Sequence, residues 1–201
     1  MKKQTSKPKI LCITGRMGTG KSTVAAYFRD RWNIPVYIAD DRAKFLMNHD
    51  ENLKKSIRKS FGNDSYHKNK LNTTYLAGKV FGNPEKLAEL ENMVHPVVRK
   101  DFREWIKNQN APYVILENAI LEKSGMDTNC DMILVVEAPE HIIIERVKQR
   151  NGWTEEHIRN RLKHQRPSVS NKQNTVYIEN YEDFNKITSF LNDIHESLLK
   201  Q

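Results

Sequence analysis

The chain alternates short, continuous runs of apolar residues with longer segments whose apolar residues recur at helical spacing. Continuous apolar runs predict strands buried on both faces, and spacings of three and four residues predict helices with one buried face. We predict five strands, at residues 10–14, 34–39, 113–117, 132–137 and 175–178. We predict helices at residues 21–32, 40–48, 53–61, 74–81, 84–109, 141–150, 154–165 and 181–199, with a kink or break at Pro96.

Buried strands that alternate with helices are typical of a parallel sheet covered by helices on both faces. We therefore expect an α/β fold in which all 201 residues form one domain around a five-stranded parallel sheet. Ligands of such sheets bind beyond the carboxyl ends of the strands, so residues that follow strands are the first candidates for a site. The expected parts are a core (about 9–39, 111–139 and 174–201), a helical substrate-binding insert (about 40–110) and a helical lid (about 140–168).

Composition agrees with a soluble protein, since 38% of the residues are apolar and 29% are charged. No apolar run approaches the roughly 20 residues that a membrane-spanning helix needs. Residues 1–9 are basic but lack the apolar segment of a secretion signal, so we expect a cytoplasmic protein without membrane partners. Cys12 and Cys130 lie far apart in the sequence, and we expect two buried, reduced thiols.

The formal net charge of +8 indicates a polyanionic partner. Nucleic acid is one such partner, and a substrate that carries several phosphates is another. The basic residues are spread along the chain, and no basic motif is interleaved with aromatic residues. Charge alone therefore does not decide between the two partners.

One glycine-rich segment carries specific chemistry. Residues 15–22, GRMGTGKS, match the phosphate-loop pattern G-x-x-x-x-G-K-[ST] in full, and they lie between a predicted strand and a predicted helix. Backbone N–H groups and the helix N-terminus would bind the phosphates, Lys21 would reach the β- and γ-phosphates, and the Ser22 hydroxyl would hold Mg²⁺. The predicted ATP-binding residues of this segment are Gly15, Gly18, Thr19, Gly20, Lys21, Ser22 and Thr23.

A phosphate loop also occurs in regulatory GTPases, which are switches rather than metabolic enzymes. Such a protein would be expected to carry an Asp-x-x-Gly element and an Asn-Lys-x-Asp guanine reader. The sequence contains no Asp-x-x-Gly, and its Asn-Lys segment at residues 171–174 ends in Asn174 where a carboxylate is needed. The GTPase interpretation is therefore weak.

Beyond the phosphate loop, the chain resembles the dephospho-coenzyme A kinase family through an ordered series of short segments. No single segment after the loop is specific, and the resemblance depends on their order and spacing over about 165 residues. The matching segments are residues 15–23, 38–44, 61–62, 80–81, 90–96, 117–121, 136–139, 145–150, 165 and 176–180.

This resemblance implies a P-loop NTPase fold and transfer of the ATP γ-phosphoryl group to the ribose 3′-hydroxyl of dephospho-CoA, with Mg²⁺ as cofactor. The family's catalytic base falls on Asp40, which would accept the hydroxyl proton. The alternative role of Asp40 is to cap the helix that follows. The chain departs from the family pattern at Ile38, where the family has an aspartate, at Thr73, and at Glu122 and Lys123. These departures lie mostly on the expected acceptor side.

Each further candidate has a structural alternative. Glu117 ends a strand and would hold a Mg²⁺-bound water, or it is a partly exposed acid. Arg146 and Arg150 are four residues apart and would close over the phosphates, or they form a solvated basic face. His95 would contact substrate or mark the kink at the following proline. Lys123 would bind a substrate phosphate or face water.

Two further functions stay open at the level of sequence. One is another small-molecule, nucleoside or nucleotide kinase of the same fold. The other is a non-catalytic P-loop protein that binds nucleic acid, which only the net charge of +8 favours. We expect ATP and dephospho-CoA as ligands and no nucleic-acid partner.

Overall fold

The structure is a computed structural model that describes residues 7–163, 165 and 174–200. Residues 164 and 166–168 of the expected lid lie outside the described residues. The same holds for residues 171–173 of the segment compared above with a guanine reader.

Five parallel strands form the main sheet, in the order β2-β5-β1-β6-β7. This is the five-stranded parallel sheet of the predicted α/β fold. A second sheet pairs the antiparallel strands β3 and β4, which the sequence did not predict because two residues are too few to show an alternation. The strands are β1 Lys9–Thr14, β2 Val36–Ile38, β3 Tyr66–His67, β4 Lys70–Leu71, β5 Tyr113–Glu117, β6 Met132–Glu137 and β7 Thr175–Glu179.

Eight α-helices occur among the described residues, and their positions agree with the sequence pattern apart from some ends. Helix α5 continues through Pro96, so the chain does not break there, and a kink at this residue stays a prediction. Helix α8 begins at Asn185 rather than near residue 181, because the Asp183 carboxylate accepts a hydrogen bond from the Asn185 N–H and turns the chain there. The helices are α1 Lys21–Trp32, α2 Ala39–His49, α3 Glu51–Phe61, α4 Thr73–Val80, α5 Pro84–Lys107, α6 Glu140–Asn151, α7 Glu155–Lys163 and α8 Asn185–Lys200.

The chain divides into two compact units. The first comprises the described residues of Met1–Ile38 and Ile106–Gln201 and contains the five-stranded sheet. The second is Ala39–Trp105 and contains α2 to α4 and most of α5. None of the helices in the described part of the chain is long and apolar enough to cross a membrane.

The first unit packs its sheet against helices through large apolar side chains. Leu11 and Ile13 of β1 lie in one buried cluster with Val24 and Phe28 of α1 and Leu191 of α8. Fully burying each such side chain contributes roughly 1.5–3 kcal/mol, so this face holds β1 and the start of α1 rigidly. A second buried cluster joins α6 to α7, and Met17 of the phosphate loop packs against it.

The second unit is held by polar contacts between its helices as well as by apolar packing. Arg42 of α2 donates two hydrogen bonds to the Asp101 carboxylate of α5, at 2.9 and 2.7 Å. The Tyr66 hydroxyl donates to the Met47 carbonyl, and burial raises the pKa of Tyr66 to about 12. The Asp50 side chain caps α3 by accepting from the Leu53 N–H.

The two cysteines form a disulfide, so the expectation of two reduced thiols is wrong. Parallel pairing of β1 with β6 brings the residues before β6 alongside β1. The Asp131 N–H donates to the Ile10 carbonyl at 2.9 Å, and the Ile10 N–H donates to the Asp131 carboxylate at 2.6 Å. Cys130 therefore lies next to Cys12 with a Cα–Cα separation of 5.7 Å, although 118 positions separate them in sequence. Sequence spacing could not indicate this pairing because it depends on which strands are neighbours.

Candidate nucleotide site

The phosphate loop connects β1, the central strand, to α1. Because all five strands are parallel, their carboxyl ends lie at one edge of the sheet. In the ladder, Ile13 and Ile38 both pair with Glu117, so the ends of β1, β5 and β2 are adjacent. The strand order also diverges on either side of β1, which is the position where open α/β sheets bind ligands.

Two glycines give the loop a backbone that other residues would strain. Gly15 has φ 143° and Gly20 has φ 96°. A Cβ atom at Gly15 would overlap the Val136 carbonyl oxygen, and one at Gly20 would overlap the Asn180 side-chain amide. Both positions therefore need glycine for its conformational freedom and for close approach to a neighbour.

Hydrogen bonds within the loop converge on one carbonyl group. The Arg16 oxygen accepts from the Thr19 hydroxyl at 2.9 Å and from Lys21 Nζ at 3.0 Å. Lys21 is only 8% exposed, so its ammonium group is held against the loop. A buried cation at the start of a helix produces a strongly positive site for an anion, to which the helix N-terminus adds.

Two amide side chains contact the loop from outside. Asn180, directly after β7, donates from Nδ2 to the Thr19 carbonyl at 2.8 Å. Gln165 accepts at Oε1 from the Met17 N–H at 2.9 Å. Both residues were matched to family segments in the sequence, but no contact with the loop was predicted for either, since no local pattern shows which distant side chain reaches a loop.

An oxygen pair lies at the start of α1. The Ser22 hydroxyl donates to Glu117 Oε1 at 2.7 Å, and Glu117 is 6% exposed. No group of three or more His, Cys, Asp or Glu side chains gathers as a metal site within residues 7–163, 165 and 174–200. Two oxygen ligands suit Mg²⁺, which usually takes one or two protein oxygens and completes its shell with water and substrate phosphates.

Two cavities open beside the loop. One of about 270 Å³ lies at the ends of β6 and β7, and one of about 410 Å³ extends toward α7. The first is lined by Arg16, Thr19, Val136, Glu137, Ala138, Pro139 and Glu179. The second is lined by Arg16, Glu137, Glu140, Arg159, Leu162, Lys163 and Gln165.

The predicted arginines of α6 have different surroundings. Arg146 is half-buried and donates to the Asn180 carbonyl at 2.7 Å, whereas Arg150 is exposed and donates to Asn151. Near the loop, Glu140 instead contacts Arg16 at 3.9 Å and also pairs with Arg159 of α7. No local pattern singles out Arg16 or Arg159, because only the fold places them at the cavities.

The remaining predicted residues lie as follows. Asp40 is exposed in the first turn of α2, which begins one residue earlier, so it does not occupy the position before the helix that a cap requires. Thr23 is exposed on α1, and Lys123 is exposed between β5 and β6. His95 is half-buried within α5, in the second unit with Asp40.

Comparison with known proteins agrees with this geometry. A family model described as dephospho-CoA kinase matches residues 9–185. A dephospho-CoA kinase of Coxiella burnetii is 38% identical over 157 residues, covering 77% of this chain and 78% of the relative. One from Porphyromonas gingivalis is 35% identical over 150 residues, covering 75% and 74%.

Solved structures give the same fold. A crystal structure of a Thermus thermophilus protein has a TM-score of 0.82 at 32% identity and covers 96% of this chain and 99% of its own. A dephospho-CoA kinase from Campylobacter jejuni has a TM-score of 0.60 at 19% identity, covering 98% and 100%. A shikimate kinase from Bacteroides thetaiotaomicron has a TM-score of 0.52 at 16% identity, covering 94% and 98%. At such low identity the last two bear on the fold alone.

Proposed function

Because the chain belongs to the dephospho-CoA kinase family, we propose that it transfers the γ-phosphoryl group of ATP to the ribose 3′-hydroxyl of dephospho-CoA. The products are coenzyme A and ADP. The observation that carries the proposal is a complete phosphate loop at the end of the central strand, inside a family match over residues 9–185. Phosphoryl transfer needs mainly positioning and charge neutralisation, which this loop is built to supply.

The ATP phosphates bind at the loop between β1 and α1. Backbone N–H groups of the loop and the N-terminus of α1 bind the phosphate oxygens. Lys21 leaves the Arg16 carbonyl, 3.0 Å away, and binds the β- and γ-phosphates. The exchange replaces a neutral acceptor by an anionic one, so the new hydrogen bond is the stronger of the two.

Mg²⁺ fits the oxygen pair of Ser22 and Glu117. The hydroxyl and the carboxylate are 2.7 Å apart, and both are hard oxygen ligands of the kind this ion prefers. When bound, the ion neutralises charge on the phosphates. Glu117 keeps a carboxylate beside the N-terminus of α1, where the phosphates bind, and its hydrogen bond orients the Ser22 hydroxyl.

Asp40 accepts the proton of the acceptor hydroxyl. Its support is its place in the chain, two residues after Ile38, which pairs with Glu117 at the carboxyl edge of the sheet. Its carboxylate is exposed, and a carboxylate within hydrogen-bond reach of a hydroxyl can serve as a general base. His95 and Lys123 as acceptor contacts, and Arg146 and Arg150 as phosphate contacts, stay predictions, as does the cytoplasmic location.

Mass spectrometry of the products tests the proposal. Purified protein with Mg·ATP should convert dephospho-CoA to coenzyme A, and adenosine and AMP should be poor acceptors. Lys21→Ala should lower kcat strongly and change the KM for the acceptor much less, since the lysine acts on the transferring charge. ADP release that is faster with AMP than with dephospho-CoA, and no coenzyme A, would leave another small-molecule kinase as the answer.

A further inference from the structure

Asn180 joins three parts of the first unit at the phosphate loop. The residue follows β7 directly and is 6% exposed. Its side chain donates to the Thr19 carbonyl, its N–H donates to the Glu137 carbonyl at 2.8 Å, and its carbonyl accepts from Arg146 at 2.7 Å. The ends of β6 and β7 and helix α6 are therefore all connected to the loop through one buried residue.

Two hydrogen bonds, to Glu137 and from Arg146, fix the backbone of Asn180. The Glu137 hydrogen bond continues the pairing of β6 with β7, in which Glu137 is opposite Glu179. The Arg146 guanidinium is charged, and charge-assisted hydrogen bonds are roughly twice as strong as neutral ones. A side chain carried on such an anchored backbone loses little further freedom when it contacts the loop.

The contact with Thr19 determines how one loop peptide is oriented. Only the NH₂ group of an asparagine amide can donate to a carbonyl, so Nδ2 faces Thr19 O at 2.8 Å. The described chain contains no cis peptide bond. In a trans, planar peptide the carbonyl of one residue and the N–H of the next point in opposite directions. Holding the Thr19 carbonyl toward Asn180 therefore turns the Gly20 N–H away from Asn180.

The same contact explains why the loop passes so close to β7. A Cβ atom at Gly20 would overlap Asn180 Nδ2, so the backbone of Gly20 lies directly against the asparagine amide. Gly20 is also the residue before α1, in a left-handed conformation without a side-chain cap. Gly20 has no side chain with which to cap α1, and the Thr19–Gly20 peptide is held from outside by the Asn180 amide.

We propose that Asn180 is a positioning residue for nucleotide binding. By holding the Thr19–Gly20 peptide, it keeps the Gly20 N–H oriented for a phosphate oxygen before ATP arrives. Asn180 itself acts through the loop and does not need to touch ATP. The proposal rests on the proposed function in one respect, that the loop binds the phosphates of ATP.

The affinity for ATP should fall when the amide donor is removed. Asn180→Asp keeps the shape but places a carboxylate oxygen against the Thr19 carbonyl, and Asn180→Ala removes the contact without adding charge. The Thr19–Gly20 peptide then loses its fixed orientation, and the charge-assisted hydrogen bond from the Gly20 N–H to a phosphate oxygen is lost. Losing such a bond corresponds to about a tenfold to hundredfold increase in the Kd for ATP.

Asn174 provides the matched control at the other end of β7. It also donates from Nδ2 to backbone carbonyls, those of Cys130 and Asp131, both at 2.9 Å. Asn174→Asp and Asn174→Ala therefore remove side-chain hydrogen bonds to backbone carbonyls beside the same strand, without reaching the loop. They should lower the melting temperature as much as the Asn180 variants while leaving the Kd for ATP within about twofold of wild type.

The measurement is calorimetric titration of Mg·ATP into the folded variants without acceptor, followed by steady-state kinetics. We expect the KM for ATP to rise in parallel with Kd and the KM for dephospho-CoA to change little. Unchanged ATP affinity in folded Asn180→Ala, or equal weakening in Asn174→Ala, would overturn the proposal. Because binding is measured without acceptor, a wild-type protein that binds ATP but makes no coenzyme A would contradict the proposed reaction alone.

Discussion

At the scale of single residues, the neighbouring carboxylates Asp40 and Asp41 allow a catalytic role to be distinguished from a structural one by mutation. Asp40 and Asp41 are both exposed and both lie in the first turn of α2. Each therefore has a similar favourable interaction with the positive end of the helix, and removal of either charge should cost a similar, small stability. Asp41 contacts Lys44 at 3.3 Å, an exposed ion pair of the kind that adds little.

The kinetic effects of the two substitutions should differ sharply. Asp40→Asn cannot accept a proton, and loss of a general base should lower kcat by about 10²–10⁴-fold. Asp41→Asn should retain kcat within a few-fold, with a melting temperature equal to that of Asp40→Asn. Steady-state rates with dephospho-CoA and thermal melts of both variants check this. A fully active Asp40→Asn protein, or loss of activity in Asp41→Asn, would mean that the base is a different residue.

At the scale of elements, the contact of α1 with α8 contains a buried histidine. His195 of α8 is 8% exposed, and its ring stacks on Trp32 of α1 with 4.0 Å between centroids. Its Nδ1 lies 2.8 Å from the Tyr113 hydroxyl of β5. Burial lowers the pKa of His195, because the imidazolium would lose hydration, and it also raises the pKa of Tyr113.

This histidine should make stability depend on pH. The pKa of His195 is below its value in the unfolded chain, about 6.5. As pH falls through 6.5, the unfolded chain takes up a proton that the folded protein does not, so stability present above pH 6.5 is lost. Urea unfolding at pH 7.5 and pH 5.5 should give a lower midpoint at the acid pH. His195→Gln should be less stable at pH 7.5 but should show a smaller decrease between the two values, and an equal decrease in both proteins would refute this assignment.

At the scale of the whole molecule, the disulfide is a long-range bond that a reductant can break without any mutation. Cys12 and Cys130 are 118 positions apart, and the loop that they close contains α1, β2, the second unit and β5. In the chain-entropy description, closing a loop of this size stabilises the folded state by up to about 4–5 kcal/mol. The bond is also unusual for a protein expected in the cytoplasm, where thiols are kept reduced.

Reduction should therefore lower the melting temperature of the wild-type protein. Addition of a dithiol reductant should have no such effect on Cys130→Ala, which already lacks the bond, and the reduced wild type should melt near this variant. Thiol alkylation in denaturant followed by mass spectrometry counts the free cysteines directly. Two alkylated cysteines in protein prepared without reductant would show that the bond does not form in solution.

Local patterns were enough to predict the sheet, most helices and the phosphate loop. Apolar runs, helical spacing and the segment GRMGTGKS are each contained in a few neighbouring residues, so no knowledge of the fold is needed to interpret them. The nucleotide-binding function followed from the same segment, since its glycines and Lys21 have a chemical purpose wherever they occur in this context. The order and spacing of weaker segments then indicated the family, which the match over residues 9–185 confirmed.

Features that depend on neighbouring strands were decided only by the tertiary structure. The Cys12–Cys130 bond follows from the pairing of β1 with β6, and the contact of Asn180 with Thr19 follows from the position of β7 beside β6. A sequence pattern records which face of an element is buried, but it does not record which distant element covers that face. The residues that hold the loop in place were therefore visible only once the chain was folded.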